Sequence, residues 1–402
     1  MRGQMHVGRE YRRRPDVLID MTPLDTPSRL RGIGRYTASL AQGLAELAEE
    51  GGLDLRVEGL IRNGFGSGSL TDPSLRFSGD PDLRTSEWQY KRYKMVRRLT
   101  MGSLAAGTGA RLLHLIDPKG TPWDSRVPRI VTCHDLIPLV LHREYLCSIP
   151  GARAAQVAFD FVRYRSAVRL IAVSEATRRD VVAHLGVDPA RVDVVYHGVD
   201  PKRFNYHAEE GEAEWVKAAI GVSDPFLLYL GGGDRRKRLP LLIRAYARAQ
   251  RTRDVVLVIA GALTRHQRKV LAGEARAAGV SSRVIFPGFV ADRLVPALYR
   301  ACLGHVFPSI YEGFGLPVLE AMSCGAPTVT TLETSLAEVA GEAALGVPAD
   351  DEAALAGAIR RLVDDSALRR ELSVRGPAWA AHFTWRRCAD ETLTCYRKAL
   401  EE

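Results

Sequence analysis

Short apolar runs alternate along this chain with longer stretches of helical periodicity, and this alternation limits the fold more than any other feature. The first run is Val17 to Met21, and apolar residues then recur at three- and four-residue spacing from Arg35 to Glu50. Parallel strands joined by crossover helices produce this pattern, because each crossover needs a dozen residues or more. The sequence therefore predicts an α/β fold.

The alternation lapses once, between Pro201 and Pro225, where charged residues dominate. The strands predicted before the lapse are Val17 to Met21, Leu53 to Leu60, Leu112 to Ile116, Ile130 to Cys133, Leu170 to Val173 and Val192 to Tyr196. Those predicted after it are Phe226 to Leu230, Val255 to Ala260, Val284 to Phe286, His305 to Phe307 and Thr328 to Thr330. A length of 402 residues also favours two domains. We place a basic tail at 1–15, an N-terminal domain at 16–205 and a C-terminal domain at 206–383, and expect the final helix, about 384–402, to pack back on the first domain.

The net charge of +9 results from 56 Lys and Arg against 47 Asp and Glu, and it permits nucleic acid, an acidic membrane or small anions as partners. No apolar run reaches the roughly 20 residues that cross a bilayer, which excludes an integral membrane protein. The N-terminal residues lack the apolar stretch of a secretory signal, so we expect a cytoplasmic protein. The six cysteines lack paired short spacings and are interpreted as reduced packing residues.

The stretch from Ser309 to Gly325, SIYEGFGLPVLEAMSCG, follows a predicted strand and combines glycines, a proline and two glutamates. Pro317 fits the first helical turn, where its missing N–H has no helical partner, so we expect a helix to begin near Gly315 or the next residue. A helix N-terminus binds anions, and the carboxylates of Glu312 and Glu320 accept hydrogen bonds from sugar hydroxyls. The stretch predicts a phosphate and sugar site, with a capped helix carrying two structural acids as the alternative.

A second stretch, YLGGGDRRKRLPLL from Tyr229 to Leu242, places three glycines and four cations after the first strand of the second set. The cations are Arg235, Arg236, Lys237 and Arg238. At a helix start they oppose the helix dipole and therefore need an anionic partner. A diphosphate would supply the negative charge, and a solvated basic turn is the alternative.

Two weaker signals lie in the predicted N-terminal domain. RGIGRY, from Arg31 to Tyr36, resembles a dinucleotide fingerprint but has Thr37 in place of the third glycine, so it indicates only a close backbone approach to a ligand. His134 follows the predicted strand that ends at Cys133, where it could donate to a sugar hydroxyl or be structural. Two α/β domains in tandem leave a cleft at the carboxyl ends of both sheets, so we expect the site there.

Together these stretches resemble the retaining glycosyltransferases of family 4, whose fold, GT-B, has two Rossmann-like domains facing each other across a cleft. The resemblance spans most of the chain, through DVLIDMTPL, GIGRY, VTCHDLIPL, IAVSEATRRDVV, VVYHGVD, FPGFV and EGFGLPVLEAMSCGAPTV. Within the family it is similar to bacterial mannosyltransferases and to natural-product transferases. The resemblance implies retaining transfer of a sugar from a nucleotide-diphosphate sugar to a hydroxyl acceptor, without a metal or other cofactor. The N-terminal domain would bind the acceptor and the C-terminal domain the nucleotide sugar.

The resemblance also implies roles for individual residues. His134 would contact the donor sugar near the reacting carbon, Glu312 would bind the sugar hydroxyls, and Lys237 and Arg236 would bind the phosphates. The implied donor-binding positions are Gly34, Gly231, Phe289, Val290, Phe314, Gly315, Leu316 and Glu320.

Among these donor-binding positions, Gly34 would approach the diphosphate from the first domain. Phe289 and Val290 match the segment that lines the base pocket, and Glu320 would bind the ribose. The amides from Phe314 to Leu316 would face the diphosphate or the sugar.

One position departs from the family pattern. Gly232 stands where many members carry an arginine directly after the glycine that ends the strand, so Arg236 is assigned that charge. Two other functions stay open: a nicotinamide-dependent dehydrogenase, suggested by RGIGRY, and a non-catalytic partner that keeps the fold. A non-catalytic partner would be expected to lack the glutamates or the lysine, which are present here. Nucleic-acid binding would account for the charge, but no motif supports it.

Residues 87–100, EWQYKRYKMVRRLT, interleave aromatic and aliphatic side chains with five cations, a mixture suited to an anionic membrane surface. They predict peripheral contact with the inner face of the membrane. A helix with one packed face and a cationic solvent face is the alternative. The nucleotide base, the sugar and the acceptor have no identifying pattern in the sequence.

Overall fold

The computed structural model describes residues 14–25, 32–61, 66–69, 101–117, 126–147, 149–249 and 255–402. The chain divides into two compact units. The first comprises Met1–Thr132, Ser166–Arg169 and Leu393–Glu402, and the second comprises Cys133–Arg165 and Leu170–Thr392. The domain boundaries expected after residues 15, 205 and 383 stay predictions.

The first sheet has seven strands in the order β3-β2-β1-β4-β5-β6-β7. They are β1 (Val17–Asp20), β2 (Val57–Ile61), β3 (Gly66–Ser69), β4 (Leu112–Leu115), β5 (Arg129–Cys133), β6 (Arg169–Ala172) and β7 (Val192–Val194). β1 pairs in parallel with both β2 and β4, whereas β3 pairs antiparallel with β2. The strand order reverses at β1, as in Rossmann-type sheets. β3 was not predicted because its sequence, GSGS, contains no large apolar residue.

The second sheet has six strands, all parallel, in the order β10-β9-β8-β11-β12-β13. They are β8 (Phe226–Leu230), β9 (Val256–Ala260), β10 (Val284–Gly288), β11 (Gly304–Phe307), β12 (Thr328–Thr331) and β13 (Leu345–Val347). The order again reverses between the first and fourth strands, β8 and β11. β9 is buried along its whole length, which explains its unbroken apolar run, VLVIA. The prediction of two α/β sheets is confirmed.

Fifteen helices accompany the sheets in the described part of the chain. They are α1 (Gly32–Glu49), α2 (101–108), α3 (Ile137–Val140), α4 (His142–Tyr145), α5 (Gly151–Val162), α6 (Glu175–Leu185), α7 (Glu212–Ile220), α8 (Leu239–Ala249), α9 (Arg265–Ala277), α10 (Val295–Ala301), α11 (Leu316–Ser323), α12 (Ser335–Ala340), α13 (Glu352–Asp364), α14 (Ser366–Ala380) and α15 (Trp385–Glu401). α1 begins at Gly32 rather than near Arg35, so Gly34 lies within the helix instead of before it.

The last turns of α15 contact strand β4 and the chain before β2 within the first unit. A hydrogen bond of 2.7 Å joins the hydroxyl of Tyr396 to Nδ1 of His114 on β4. The guanidinium of Arg397 donates two hydrogen bonds to the carboxylate of Asp54, at 2.9 and 3.0 Å. These contacts fix the end of α15 within this unit.

All six cysteines are free, and five of them are buried. The expected packing role is confirmed for those five and is wrong for Cys147, which is exposed. No helix among the described residues is long and apolar enough to cross a membrane. Residues 87–100 and nearly all of the basic tail lie outside the described residues, so the expected membrane contact stays a prediction.

The carboxyl ends of β8, β9 and β10 meet at two glycines. Gly261 N donates to the carbonyl of Gly288 at 2.8 Å, and Gly231 N donates to the carbonyl of Ala260 at 3.0 Å. Gly261 has a φ of +129°, and a Cβ there would lie 2.0 Å from the carbonyl oxygen of Gly231. Only glycine therefore fits where the chain leaves β9.

We predict that Gly261→Ala lowers the free energy of unfolding by at least about 3 kcal/mol, because the new methyl group meets backbone and the φ angle is unfavourable for alanine. Urea denaturation followed by circular dichroism measures the change. Gly273→Ala is the matched control, because Gly273 lies within α9 with open space around it and alanine favours helix by about 0.5–1 kcal/mol. Equal stability of the two variants would contradict the prediction.

Candidate active site

Glu312 lies at the centre of a buried polar cluster in the second unit and contacts each of its other members. Its carboxylate accepts hydrogen bonds from Lys237 Nζ, from Arg236 Nη1 at 2.6 Å and from Ser309 Oγ at 2.6 Å. Glu312 is 8% exposed and Lys237 is 7% exposed. Two cations therefore share one carboxylate in a nearly water-free environment. Together Lys237, Arg236 and Glu312 carry one net positive charge.

The sheet topology brings these residues together from distant parts of the sequence. Arg236 and Lys237 follow β8, and Ser309 and Glu312 follow β11. β8 and β11 are hydrogen-bonded parallel neighbours, so both loops leave the same edge of the sheet. This is the position where the strand order reverses, and open α/β sheets bind their ligands there.

A short 3₁₀ turn from Arg235 to Lys237 orients the two cations. The carboxylate of Asp234 caps the turn by accepting from the amide of Arg236 at 3.2 Å. The carbonyl of Arg236 accepts from the amide of Ile310 at 2.9 Å, which ties the turn to the loop that carries Glu312. Lys237 Nζ also lies 4.3 Å from the ring centroid of Phe307 on β11, a cation–π contact.

The electrostatics of the cluster follow from burial and charge pairing. Burial lowers the pKa of Lys237 to about 8, although Glu312 opposes this shift. Burial alone would raise the pKa of Glu312, but Lys237 and Arg236 together lower it below its usual value. Burial would likewise lower the pKa of Arg236, but the charges of Glu312 and Asp234 raise it. At neutral pH all three groups are charged.

Backbone contacts around Gly313 hold the Glu312 loop in place. The carbonyl of Gly313 accepts hydrogen bonds from Ser174 Oγ at 2.8 Å and from Thr177 Oγ1 at 3.1 Å. A Cβ on Gly313 would lie 1.6 Å from the carbonyl oxygen of His134. No side chain fits at position 313, because the backbone at His134 packs directly against it.

Helix α11 begins at Leu316, as the position of Pro317 predicts. Gly315 precedes it with a φ of +114°, and a Cβ there would lie 2.7 Å from a side-chain carbon of Leu336. Pro317 has no N–H, and the amide of Val318 donates to the carbonyl of Gly315 at 3.0 Å, so the helix dipole is the main feature of this N-terminus that favours an anion. The side chain of Phe314 is buried, with its ring centroid 4.7 Å from that of His197. Phe314 thus also anchors the loop in the core.

The other expected site residues occupy different surroundings. Gly34 lies in α1 of the first unit, whereas the Glu312 cluster belongs to the second. Glu320 is buried within α11, and Val290 is part of the hydrophobic core. Phe289, which directly follows β10, is 70% exposed. Gly231 directly follows β8, and a Cβ there would lie 2.7 Å from the hydroxyl of Tyr229. The ligand contacts of all these positions stay predictions.

His134 follows β5 and is half-buried, with its ring centroid 5.7 Å from that of His197. His197 is fully buried, and burial lowers its pKa. His134 contacts the Glu312 loop through its backbone, at Gly313. A role for its side chain on a donor sugar stays a prediction.

Sequence reasoning missed several residues that support the cluster. Ser309 binds Glu312 directly, and Asp234 caps the cationic turn. An aspartate placed just before a short turn is a capping signal that was available in the sequence. Ser174 and Thr177 bind Gly313 from 139 and 136 positions away in the sequence, and nothing local predicts such a contact.

In the described part of the chain, no group of three or more His, Cys, Asp and Glu side chains is arranged to hold a metal ion. Lys237 and Arg236 are the groups placed to neutralise an anion beside Glu312. The expected absence of a metal requirement stays a prediction.

Two family models match the chain and together cover most of it. The model described as Glycosyltransferase Family 4 matches residues 30–203. The model described as Glycosyl transferases group 1 matches residues 212–379.

Individual proteins also resemble the chain. It is 28% identical over 424 residues to the serotype-specific mannosyltransferase WbdA of Escherichia coli, a match that covers 96% of this chain and 48% of WbdA. The chain thus spans about half the length of WbdA, or less.

Solved structures share the fold at lower sequence identity. Sucrose-phosphate synthase from Thermosynechococcus elongatus superposes with a TM-score of 0.72 at 21% identity, covering 96% of this chain and 99% of that one. Anabaena HepE, solved in complex with UDP and glucose, superposes with a TM-score of 0.67 at 18% identity, covering 96% and 100%. Both comparisons support the assignment of a GT-B fold.

We predict that pyrophosphate binding to this protein weakens above pH 8. A bound anion favours the charged form of Lys237 and raises its pKa, so binding above pH 8 requires uptake of a proton. The dissociation constant should rise about tenfold between pH 7 and pH 9, as measured by isothermal titration calorimetry. The control is Lys237→Arg, whose charge persists over this range. The same pH dependence in the variant and the wild type would show that Lys237 is not the titrating group.

Proposed function

Because the chain belongs to glycosyltransferase family 4, we propose that it transfers a sugar from a nucleoside-diphosphate sugar to a hydroxyl group of an acceptor. The transfer retains the anomeric configuration and needs no metal ion. Hexoses are the donor class, with mannose as the first candidate because the relative WbdA is a mannosyltransferase. The acceptor is a saccharide, a lipid-linked glycan or a natural product.

The cluster of Lys237, Arg236 and Glu312 carries this proposal. A departing nucleoside diphosphate develops negative charge, and fixed cations in a buried site stabilise that charge far more than they would in water. Lys237 and Arg236 together exceed the charge of Glu312 by one unit and stand at the reversal point of the second sheet. The N-terminus of α11 lies beside the same loop, and the positive end of its helix dipole favours an anion there.

The hydrogen bonds of Glu312 support transfer without an enzymic nucleophile. Its Oε1 already accepts from Lys237, Arg236 and Ser309, and the two cations lower the pKa of the carboxyl group, so its basicity is low. In the proposed reaction the acceptor oxygen bonds to the anomeric carbon on the face from which the diphosphate oxygen departs. The proton of the acceptor hydroxyl passes to the departing phosphate oxygen. Glu312 orients the donor sugar and the two cations.

A donor screen tests the proposed activity. Purified protein is incubated with UDP-glucose, GDP-mannose and dTDP-glucose, each with and without methyl α-mannoside, and release of the nucleoside diphosphate is measured. Proton NMR of the product reports its anomeric configuration. We expect release from one donor, an α-linked product and unchanged rates in EDTA. An inverted product or loss of activity in EDTA would contradict retention or metal independence. Binding of NAD without binding of any nucleotide sugar would favour a dehydrogenase.

We predict that Lys237→Ala lowers kcat by about 10²–10³-fold, the loss typical when one buried group that stabilises a charged leaving group is removed. Lys269→Ala is the matched control, because Lys269 is exposed on α9. Circular dichroism should show both variants folded. Near-normal turnover by Lys237→Ala would overturn the role assigned to the cluster.

A further inference from the structure

Arg238 directly follows the 3₁₀ turn that carries Arg236 and Lys237, and its backbone is unusual. Its φ is +51°, in the left-handed region that L side chains rarely adopt and that favours glycine. Its amide still closes the turn on the carbonyl of Arg235 at 3.1 Å. The turn itself therefore favours glycine at this position, although the chain carries arginine there.

The side chain of Arg238 joins two carboxylates of this chain. Its Nε donates to Asp350 Oδ1 at 2.7 Å, and its Nη2 donates to Glu144 Oε1 at 3.1 Å. The sequence groups Arg238 with the cations expected to meet a diphosphate. Its contacts instead assign it to Glu144, which lies on the short helix α4.

Helix α4 also contacts the other end of the turn. The hydroxyl of Tyr145 donates to Oδ1 of Asp234, the residue that caps the turn. Burial and the charge of Asp234 raise the pKa of Tyr145, so the phenol stays protonated and remains a donor. Adjacent residues of α4 thus hold the cationic turn at both ends, Tyr145 at Asp234 and Glu144 at Arg238.

The chain segment that ends at Tyr145 begins at His134. At that end, the carbonyl of His134 packs against Gly313, next to Glu312. One segment, 134–145, therefore contacts the loop that carries Glu312 at one end and the turn that carries Lys237 at the other. All of these contacts lie within the second unit.

We propose that Arg238 and Glu144 are positioning residues, which fix segment 134–145 against the cationic turn and thereby hold His134 in register with Lys237 and Glu312. This inference rests on the proposed transferase function. Arg238 and Glu144 touch no reacting atom. They therefore affect the geometry of the donor site and not the charges of Lys237, Arg236 and Glu312. Losing the pair should slow turnover while the affinity for the diphosphate persists.

The test compares Arg238→Gly, Glu144→Ala and the double variant with the wild type. Glycine adopts a φ of +51° without strain, so Arg238→Gly preserves the turn while removing the side chain. The matched control is Arg244→Ala. Arg244 pairs with two carboxylates in the same way, Glu274 at 2.8 Å and Glu352 at 2.7 Å, but these contacts do not involve α4.

We expect each single variant to lower kcat about tenfold, with the Kd for UDP or GDP within about twofold of the wild type. The double variant should be no slower than Arg238→Gly, since both substitutions break the same contact. Amide hydrogen exchange should accelerate at residues 137–146 in both single variants and stay unchanged in Arg244→Ala. The exchange measurement needs no donor, and Glu144→Ala provides the test if Arg238→Gly does not fold.

Wild-type exchange at 137–146 in both variants, or wild-type kcat, would overturn the proposal. A purely structural role would lower the melting temperature and nucleotide affinity together, without this separation of kcat from Kd. Failure of the transferase function is distinguishable, because the wild type would then turn over no donor and Lys237→Ala would have no activity to lose.

Discussion

The pairing of one buried carboxylate with two buried cations is the interaction on which the rest of the site depends. Burying a charged group costs several kcal/mol of desolvation free energy, unless a partner of opposite charge and good hydrogen bonds compensate for it. Glu312 meets this condition through Lys237, Arg236 and Ser309. Glu312 and the two cations carry one net positive charge, and Asp234, 3.9 Å from Arg236 Nε, offsets it less because its side chain is 43% exposed to solvent. In the proposed transfer this positive charge would stabilise the anionic leaving group.

The surrounding backbone is built to keep that pairing in a fixed geometry. Gly313 lies so close to His134 that no side chain fits, and its carbonyl is held by Ser174 and Thr177. The amide of Ile310 joins the Glu312 loop to the cationic turn. Such preorganisation would matter in the proposed transfer, because donors and charges that are already in place need no rearrangement when a leaving group develops its charge.

Local sequence patterns predicted most of the strands and several residues of the Glu312 cluster. β8 was predicted with the observed bounds, because a buried parallel strand is a continuous apolar run, and α11 begins where Pro317 predicts. β3 and β13 were missed, because GSGS has no large apolar side chain and LGV is only three residues long. Glu312 and Lys237 were each singled out, whereas the two carboxylates that Arg238 contacts had no local signal in the sequence.

The sequence by itself determined two α/β sheets, the start of α11 and the residue types of the cluster, because periodicity and the position of a proline are signals that act within a few positions. Only the tertiary structure decided which residues are partners. Lys237 and Glu312 are 75 positions apart and meet because β8 and β11 are parallel neighbours. Arg238 and Glu144 are 94 positions apart and meet because α4 packs on the cationic turn. Strand order and packing decide which of these residues meet in space, and neither can be inferred from the residues nearby in sequence.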